Sequence, residues 1–404
     1  MKTRAAALAL LALALPAAAQ QEAAAANRGV EAVTRLITQR PEDPTLYFYL
    51  ARFQAQAGDA KASTAALQKV LELGEGLLPV RDFGFENVWA DEDFQAVRAK
   101  IEATLPRADT AAVAFRLEDT HLLPEGIAYD PPSHSFFVGS TAKKKIVRVG
   151  PGRAVKDFSK PEDSLDFVLG LAIDSPRRRL YAVSTSALTE EGEKNPRNKV
   201  ISYNIDTGDV VRTVQIVAAR QLNDVAVAPG GKIYATDSAA GAVYEIEVEG
   251  PVREIIPPDY LRGVNGIAIG TDPNQVYAAI STGIVVIDPR DSKYLRLPVP
   301  KRESVAAIDG LYWWQGQLIG VQNVTSPGRV ILMTLSADGR AITKVETLLS
   351  HHHAALDEPT TGAVTEYGFY LLAGTQVSRL NRQGRIERED SLDPPTVLRV
   401  ALPH

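Results

Sequence analysis

One short motif recurs six times along the chain, and its spacing constrains the fold more than any other feature. The segments open Glu125-Gly126-Ile127, Leu169-Gly170-Leu171, Asn223-Asp224-Val225, Asn265-Gly266-Ile267, Asp309-Gly310-Leu311 and Thr361-Gly362-Ala363. Counted from the second residue of each, the steps are 44, 54, 42, 44 and 52 residues, the length of one four-stranded blade. Blade 3 shows the whole unit: strands are expected over 223–228, 232–236, 242–248 and 252–256, with Pro229-Gly230-Gly231 and Ala239-Ala240-Gly241 as turns. Short alternating strands cut by Gly, Pro, Asp and Ser are the all-β signal. Six periods of four strands predict a six-bladed β-propeller over residues 107–404. A ring must also be closed. Residues 112–117 and 397–402 are the two spare strands, and one or both are expected to join blade 6 so that no sheet edge stays raw.

The chain ahead of the propeller reads differently. Lys2 and Arg4 precede an apolar run over 5–15, and Pro16 is followed by Ala17, Ala18 and Ala19. Charge, apolar core and small-residue exit in that order make residues 1–19 a signal peptide, with cleavage expected before Gln20. The run is too short to span a bilayer. Cysteine is absent, so neither a disulfide nor a thiol-linked lipid anchor is expected. The mature chain is expected to be soluble, in a periplasm or secreted.

Residues 20–106 carry apolar residues at helical spacing. Val30, Val33, Leu36 and Ile37 make one face, and Pro41 and Pro44 end that helix. Leu46, Leu50, Phe53 and Ala57 line a second before the Gly58-Asp59 break; Ala62, Ala65, Ala66, Leu67, Val70 and Leu71 line a third. This helix, Gly-Asp turn, helix resembles a tetratricopeptide repeat. One repeat cannot bury its own face, so the first helix and the segment bearing Trp89, Phe94, Val97 and Ile101 are expected to cap it. The expected fold class is thus an all-β six-bladed propeller with a small N-terminal all-α, tetratricopeptide-like domain. That domain holds no histidine and no acidic cluster, which suggests a protein-contact surface rather than chemistry. With 44 Lys plus Arg against 49 Asp plus Glu the formal charge is −5, so no nucleic-acid or membrane-surface footprint is expected. The one basic cluster, Lys143 to Lys145, reads as a solvated loop tip.

In a propeller the first strand of each blade lines the central channel, and the residue that opens it sits at the rim of one face. The six openers are Glu125, Leu169, Asn223, Asn265, Asp309 and Thr361. Four are carboxylate or amide and converge on one axis, the donor set a hard cation takes. The alternative is a solvated polar mouth whose Asn and Asp satisfy turn amides.

A family resemblance rests on these residues. Pro124-Glu125-Gly126, Val264-Asn265-Gly266-Ile267 and Ile308-Asp309-Gly310-Leu311 resemble the metal-ligand segments of the gluconolactonase and senescence-marker-protein family. Leu222-Asn223-Asp224 is similar to an additional amide ligand of the related paraoxonases, whose calcium sits in the same channel. The resemblance covers residues 110–404. It implies a divalent metal ion, calcium foremost, held by Glu125, Asn223, Asn265 and Asp309. Ile127 stands where gluconolactonases usually carry proline, and the helices lie outside the pattern, so the substrate stays open.

Loops between second and third strands share the face of the openers, as do the loops leading into each blade. They supply Asp237, Gln322 and Asn323 from the first set, and His121 and His353 (within the run His351 to His353) from the second, as candidate substrate-binding residues. The long polar insertion over 187–198 is a candidate lid. His134 and His404 carry no signal. Two functions fit. One is a metal-dependent hydrolase of lactones or related esters, with Asp309 as base; no G-x-S-x-G elbow and no cysteine support a covalent route. The other is a non-catalytic envelope propeller that binds a ligand or a partner protein, the helices serving as adaptor.

Overall fold

The computed structural model describes residues 17–74, 77–323 and 327–403, with side chains from residue 24 onward. Most of the expected signal peptide, residues 1–16, lies outside the described residues.

The described chain forms six four-stranded antiparallel sheets, arranged in sequence order about one axis, blade 6 returning to blade 1. Successive side chains of a strand point to opposite faces, so each blade is apolar on both faces and gives one to each neighbour. Leu169, Tyr181 and Val200 of blade 2 meet Val225, Ala235 and Tyr244 of blade 3; Tyr234 and Val243 on the other face of blade 3 meet Ile267, Val276 and Val285 of blade 4. Both spare strands close the ring. Blade 6 runs Gly362–Thr365, Gly368–Gly374, Thr396–Val400 and then Ala112–Arg116 from axis to rim.

The recurring motif has a packing cause. In blades 1, 2, 3 and 5 the innermost strand pairs irregularly with its neighbour, and the skipped residues are Glu125-Gly126, Leu169-Gly170, Asn223-Asp224 and Asp309-Gly310. Such a bulge bends the strand and re-aims the opener's side chain. The glycines answer crowding at the axis. A Cβ on Gly126 would lie 2.0 Å from the Leu169 carbonyl oxygen, and one on Gly266 2.3 Å from that of Asp309.

A second device fixes each opener in place. At the end of the second strand of every blade a polar side chain ties down the loop that leads into that blade. Thr141 Oγ1 donates to Leu123 O at 2.6 Å in blade 1, and Ser184 Oγ accepts from Asp166 N at 2.8 Å in blade 2. Asp237 accepts from the backbone N–H of Arg220 and Gln221 at 2.7 and 2.9 Å in blade 3. Ser281 Oγ donates to Arg262 O at 3.1 Å, Gln322 Nε2 to Ala306 O at 2.6 Å and Thr375 Oγ1 to Glu358 O at 2.8 Å in blades 4 to 6.

The helical region contains α1 (Ala17–Gln39), α2 (Pro44–Gln56), α3 (Ala60–Leu73) and α4 (Glu92–Glu102). Asp43, Asp59 and Asp91 cap the last three by accepting from Thr45 N, Ala62 N and Phe94 N, which satisfies otherwise orphaned first-turn donors. Phe48, Ala51, Leu67, Val70, Phe85, Phe94 and Ile101 share one core. α2 is buried on two sides rather than one: Phe48, Ala51 and Ala55 enter that core, while the Phe53 ring lies against Gly29 of α1. The unit docks on blades 4 and 5. Thr45 Oγ1 and Ser304 Oγ are 2.8 Å apart, the Tyr49 hydroxyl donates to Ser281 O at 2.8 Å, and Asp43 accepts from Arg296 at 3.2 Å. Ser281 and Ser304 belong to the face that carries the openers, so the helices stand beside the channel mouth.

Candidate functional site

Bulges present Glu125, Asn223 and Asp309 at the mouth, and Asn265 joins them from just ahead of the regularly paired first strand of blade 4. Glu125, Asn223 and Asp309 are each under a tenth exposed, and Asn265 Nδ2 donates to Asp309 Oδ1 at 2.8 Å. Two residues below each opener, Ile127, Leu171, Val225, Ile267, Leu311 and Ala363 form an apolar ring within a channel cavity of about 310 Å³. Polar mouth above apolar ring follows from the alternation of each inner strand.

Burial in that low-dielectric frame governs the acids. Burial, together with the charges of Asp309 and Asp224, pushes Glu125 well above the usual carboxylate range. Asp309 is also pushed up by burial, against the pull of hydrogen bonds from Asn323 and Asn265. Asp224 rises by burial to about 7, yet its oxygens are spent: Oδ1 accepts from Val225 N at 2.8 Å and Oδ2 from Ile267 N at 3.1 Å, pinning blade 3 to blade 4. The Tyr312 hydroxyl, raised by burial and further by the charges of all three acids, accepts from Gly362 N at 2.7 Å.

Two unclaimed atoms at the mouth are oxygens. Glu125 Oε2 and Asn323 Oδ1 are buried without a hydrogen-bond partner. Asn323 Nδ2 is committed to Asp309 Oδ2 at 2.5 Å and Pro359 O at 2.9 Å, and Asn223 Nδ2 to Ser238 Oγ at 2.9 Å. Backbone contacts hold the frame: Thr360 and Thr361 hydroxyls both donate to Glu125 O, at 3.0 and 2.5 Å. Among the described residues no three His, Asp or Glu side chains converge as a metal cluster. With Asp224 turned to backbone, the acids facing one another number two, Glu125 and Asp309, and amides complete the set.

Other candidates have different employment. Asp237 and Gln322 serve the loop ties described above; Gln322 Oε1 also accepts from Arg329 Nε at 2.6 Å. His353 accepts from Ala355 N at Nδ1 and donates from Nε2 to Ala111 O at 3.0 Å, clasping the approach to the first propeller strand. His121 Nε2 meets Glu389 Oε1 at 2.8 Å on the rim. Lys143 and Lys145 pair with Asp119 and Asp157. Asn323, a candidate substrate contact by sequence, donates to Asp309 and so orients it.

Two insertions cap the mouth. The blade 2 insertion folds into α5 (Glu190–Lys194), capped by Thr189. It meets the blade 6 insertion over 375–395: Glu190 N donates to Arg382 O at 2.9 Å, and the Arg382 guanidinium pairs with Glu193. His121 on the approach to blade 1 holds the same insertion through Glu389, so the cap crosses the blade 1 sector. Sequence reasoning missed Glu358, on the loop leading into blade 6. Burial raises it, and Ser378 N and Oγ donate to its two oxygens at 2.8 and 3.0 Å.

Fold and site define a six-bladed β-propeller with buried acids at a capped channel mouth and a helical unit docked beside it. No protein-family model and no curated protein matches the chain. Among solved structures it is similar to the major Malassezia sympodialis allergen Mala s 1 (14% identity, 69% of this chain and 93% of that one, TM-score 0.55). It is similar also to virginiamycin B lyase from Staphylococcus aureus (13%, 72% and 98%, 0.50) and a gluconolactonase from Xanthomonas campestris (15%, 74% and 98%, 0.48). At such identities the likeness is one of fold.

Proposed function

We propose that the chain is an exported, divalent-cation-dependent hydrolase of lactones or related esters, with calcium the first candidate ion. The observation that carries this reading is the set of unclaimed oxygens: Glu125 has a buried, unpartnered carboxylate oxygen beside Asp309, and Asn323 offers a buried amide oxygen with its nitrogen committed elsewhere. Buried acceptors without donors are costly, and a hard oxygen-seeking cation satisfies them. Glu125, Asn223, Asn265 and Asp309 would hold it, with Asn323 beside them. Two carboxylates match a divalent charge.

When bound, such an ion polarises a carbonyl and stabilises the oxyanion that forms on it. The residues of the chain supply the rest. Asp309, its carboxylate oriented by Asn265 and Asn323, takes a proton from water as the water oxygen bonds to the lactone carbonyl carbon. The ring C–O bond then breaks, the departing alkoxide recovers the proton, and a hydroxy acid leaves.

The test is a panel of γ- and δ-lactones with purified protein, with and without chelator. Hydrolysis that is lost with chelator, restored by calcium and abolished in Asp309→Asn even at saturating calcium supports it. A metal-loaded protein inert toward the whole panel favours the non-catalytic propeller instead.

A further inference from the structure

The blade 6 insertion contributes a cation to the mouth that nothing in the site yet uses. Arg379 is half-buried and its Nη1 is buried with no hydrogen-bond partner. Its charge reaches Glu358, which it pulls downward. Among the described residues the two form no ion pair, and both Glu358 oxygens accept from Ser378. Glu358 in turn raises Asp309, and the residue after Glu358, Pro359, takes the Asn323 amide that orients Asp309. Arg379 therefore follows directly on Ser378, which holds Glu358 on the blade 6 side of the mouth.

The segment bearing it is built to hold it there. Thr375 Oγ1 donates to Glu358 O at 2.8 Å. Gln376 adopts the left-handed region at φ 57° and is locked by two bonds, Nε2 to Asp393 O at 2.7 Å and Oε1 from Asp393 N at 3.0 Å. The Arg379 carbonyl accepts from Glu387 N at 2.8 Å. These contacts fix the backbone of the segment that carries Arg379. An unpaired buried guanidinium donor has a cost that an incoming anion removes.

We propose that Arg379 is a specificity-determining residue that binds the carboxylate of an anionic lactone or ester, and this rests on the hydrolase reading above. The planar guanidinium matches a carboxylate. With Glu125, Asp309 and Glu358 nearby, a singly charged group is tolerated and a phosphate dianion is repelled. Recognition is then two-point: carbonyl toward the acids and amides at the mouth, carboxylate toward the cap.

The test is calorimetric titration of the full chain with two unreactive ring analogues, tetrahydrofuran-2-carboxylate and its neutral alcohol, in calcium and again in chelator. Wild type is expected to bind the carboxylate at least about ten-fold more tightly, and Arg379→Gln to lose that preference while binding the alcohol unchanged. The variant is expected to melt no lower than wild type; if it melts several degrees lower, Arg379→Met, which keeps the packing of the stem, replaces it. A wild type without preference for the carboxylate overturns the proposal, and so does a preference that survives loss of the guanidinium. Failure of the hydrolase reading shows differently, as an unchanged binding preference in a protein that opens no lactone.

Discussion

Glu125 and Asp309 face each other across a mouth that offers them no positive charge in contact, and burial raises both acids. Folded chain therefore holds protons that unfolded chain releases. A group whose native pKa is raised binds more protons when folded, so stability declines as pH rises above about 4 and is still declining near 7, where Asp309 and Asp224 titrate. Urea denaturation of chelated protein across this range is expected to show the decline, and calcium to flatten it by holding Glu125 and Asp309 ionised. A flat profile without metal contradicts the burial of these acids. Asp309→Asn keeps size while removing one of two negative charges, and it is expected to lower calcium affinity at least ten-fold by calorimetry. Asn265→Ala removes only an amide, so added metal is expected to rescue part of its activity. The openers were legible in the sequence because crowding at the axis demands glycine beside most of them. Asp224 left a trace, standing where the other blades carry glycine. Glu358 and Arg379 left none, since they lie on segments that no other blade repeats.

At the scale of the element, strands were legible wherever turn residues cut an alternating run, and both ring-closing strands fell where two unpaired segments remained. The loop ties were not. Asp237, Gln322 and Thr375 differ in chemistry while doing one job, so no repeat betrays them, and the loop-anchoring role of the candidate residues Asp237 and Gln322 was not readable. The backbone role of His353 was hidden for a related reason: its two ring nitrogens serve Ala111 and Ala355 backbone, a contact between segments 242 residues apart for Ala111. Replacing Asp237 with Ala strands the Arg220, Gln221 and Ala240 N–H groups and is expected to cost about 2–4 kcal/mol by urea denaturation. Gly126→Ala is expected to be as damaging or worse, because the added Cβ would meet backbone, the Leu169 carbonyl, at 2.0 Å. A variant within about 0.5 kcal/mol of wild type contradicts the axial-crowding explanation of the motif.

For the whole molecule, the helical unit looks less like a free adaptor than its sequence suggests, since α2 spends Asp43, Thr45 and Tyr49 on blades 4 and 5. Helical spacing in the sequence located the helices; it could not tell which partner each face meets. The propeller still contains both of its closing strands, so a chain starting near Ala103 is expected to unfold cooperatively on heating, a few degrees lower for loss of the seam. Precipitation of that chain alone contradicts the boundary. Export is expected to leave a mature N-terminus near Gln20, trimming only the first residues of α1, and intact-mass measurement checks it. The cation is the claim on which the rest turns. Its most direct test is the melting temperature of chelator-treated full chain as calcium is added. A ligand that binds only the folded state stabilises by mass action, so the temperature is expected to climb steadily with the logarithm of calcium above the dissociation constant, and far less in Asp309→Asn. A melting temperature indifferent to calcium, magnesium, manganese and zinc would contradict it.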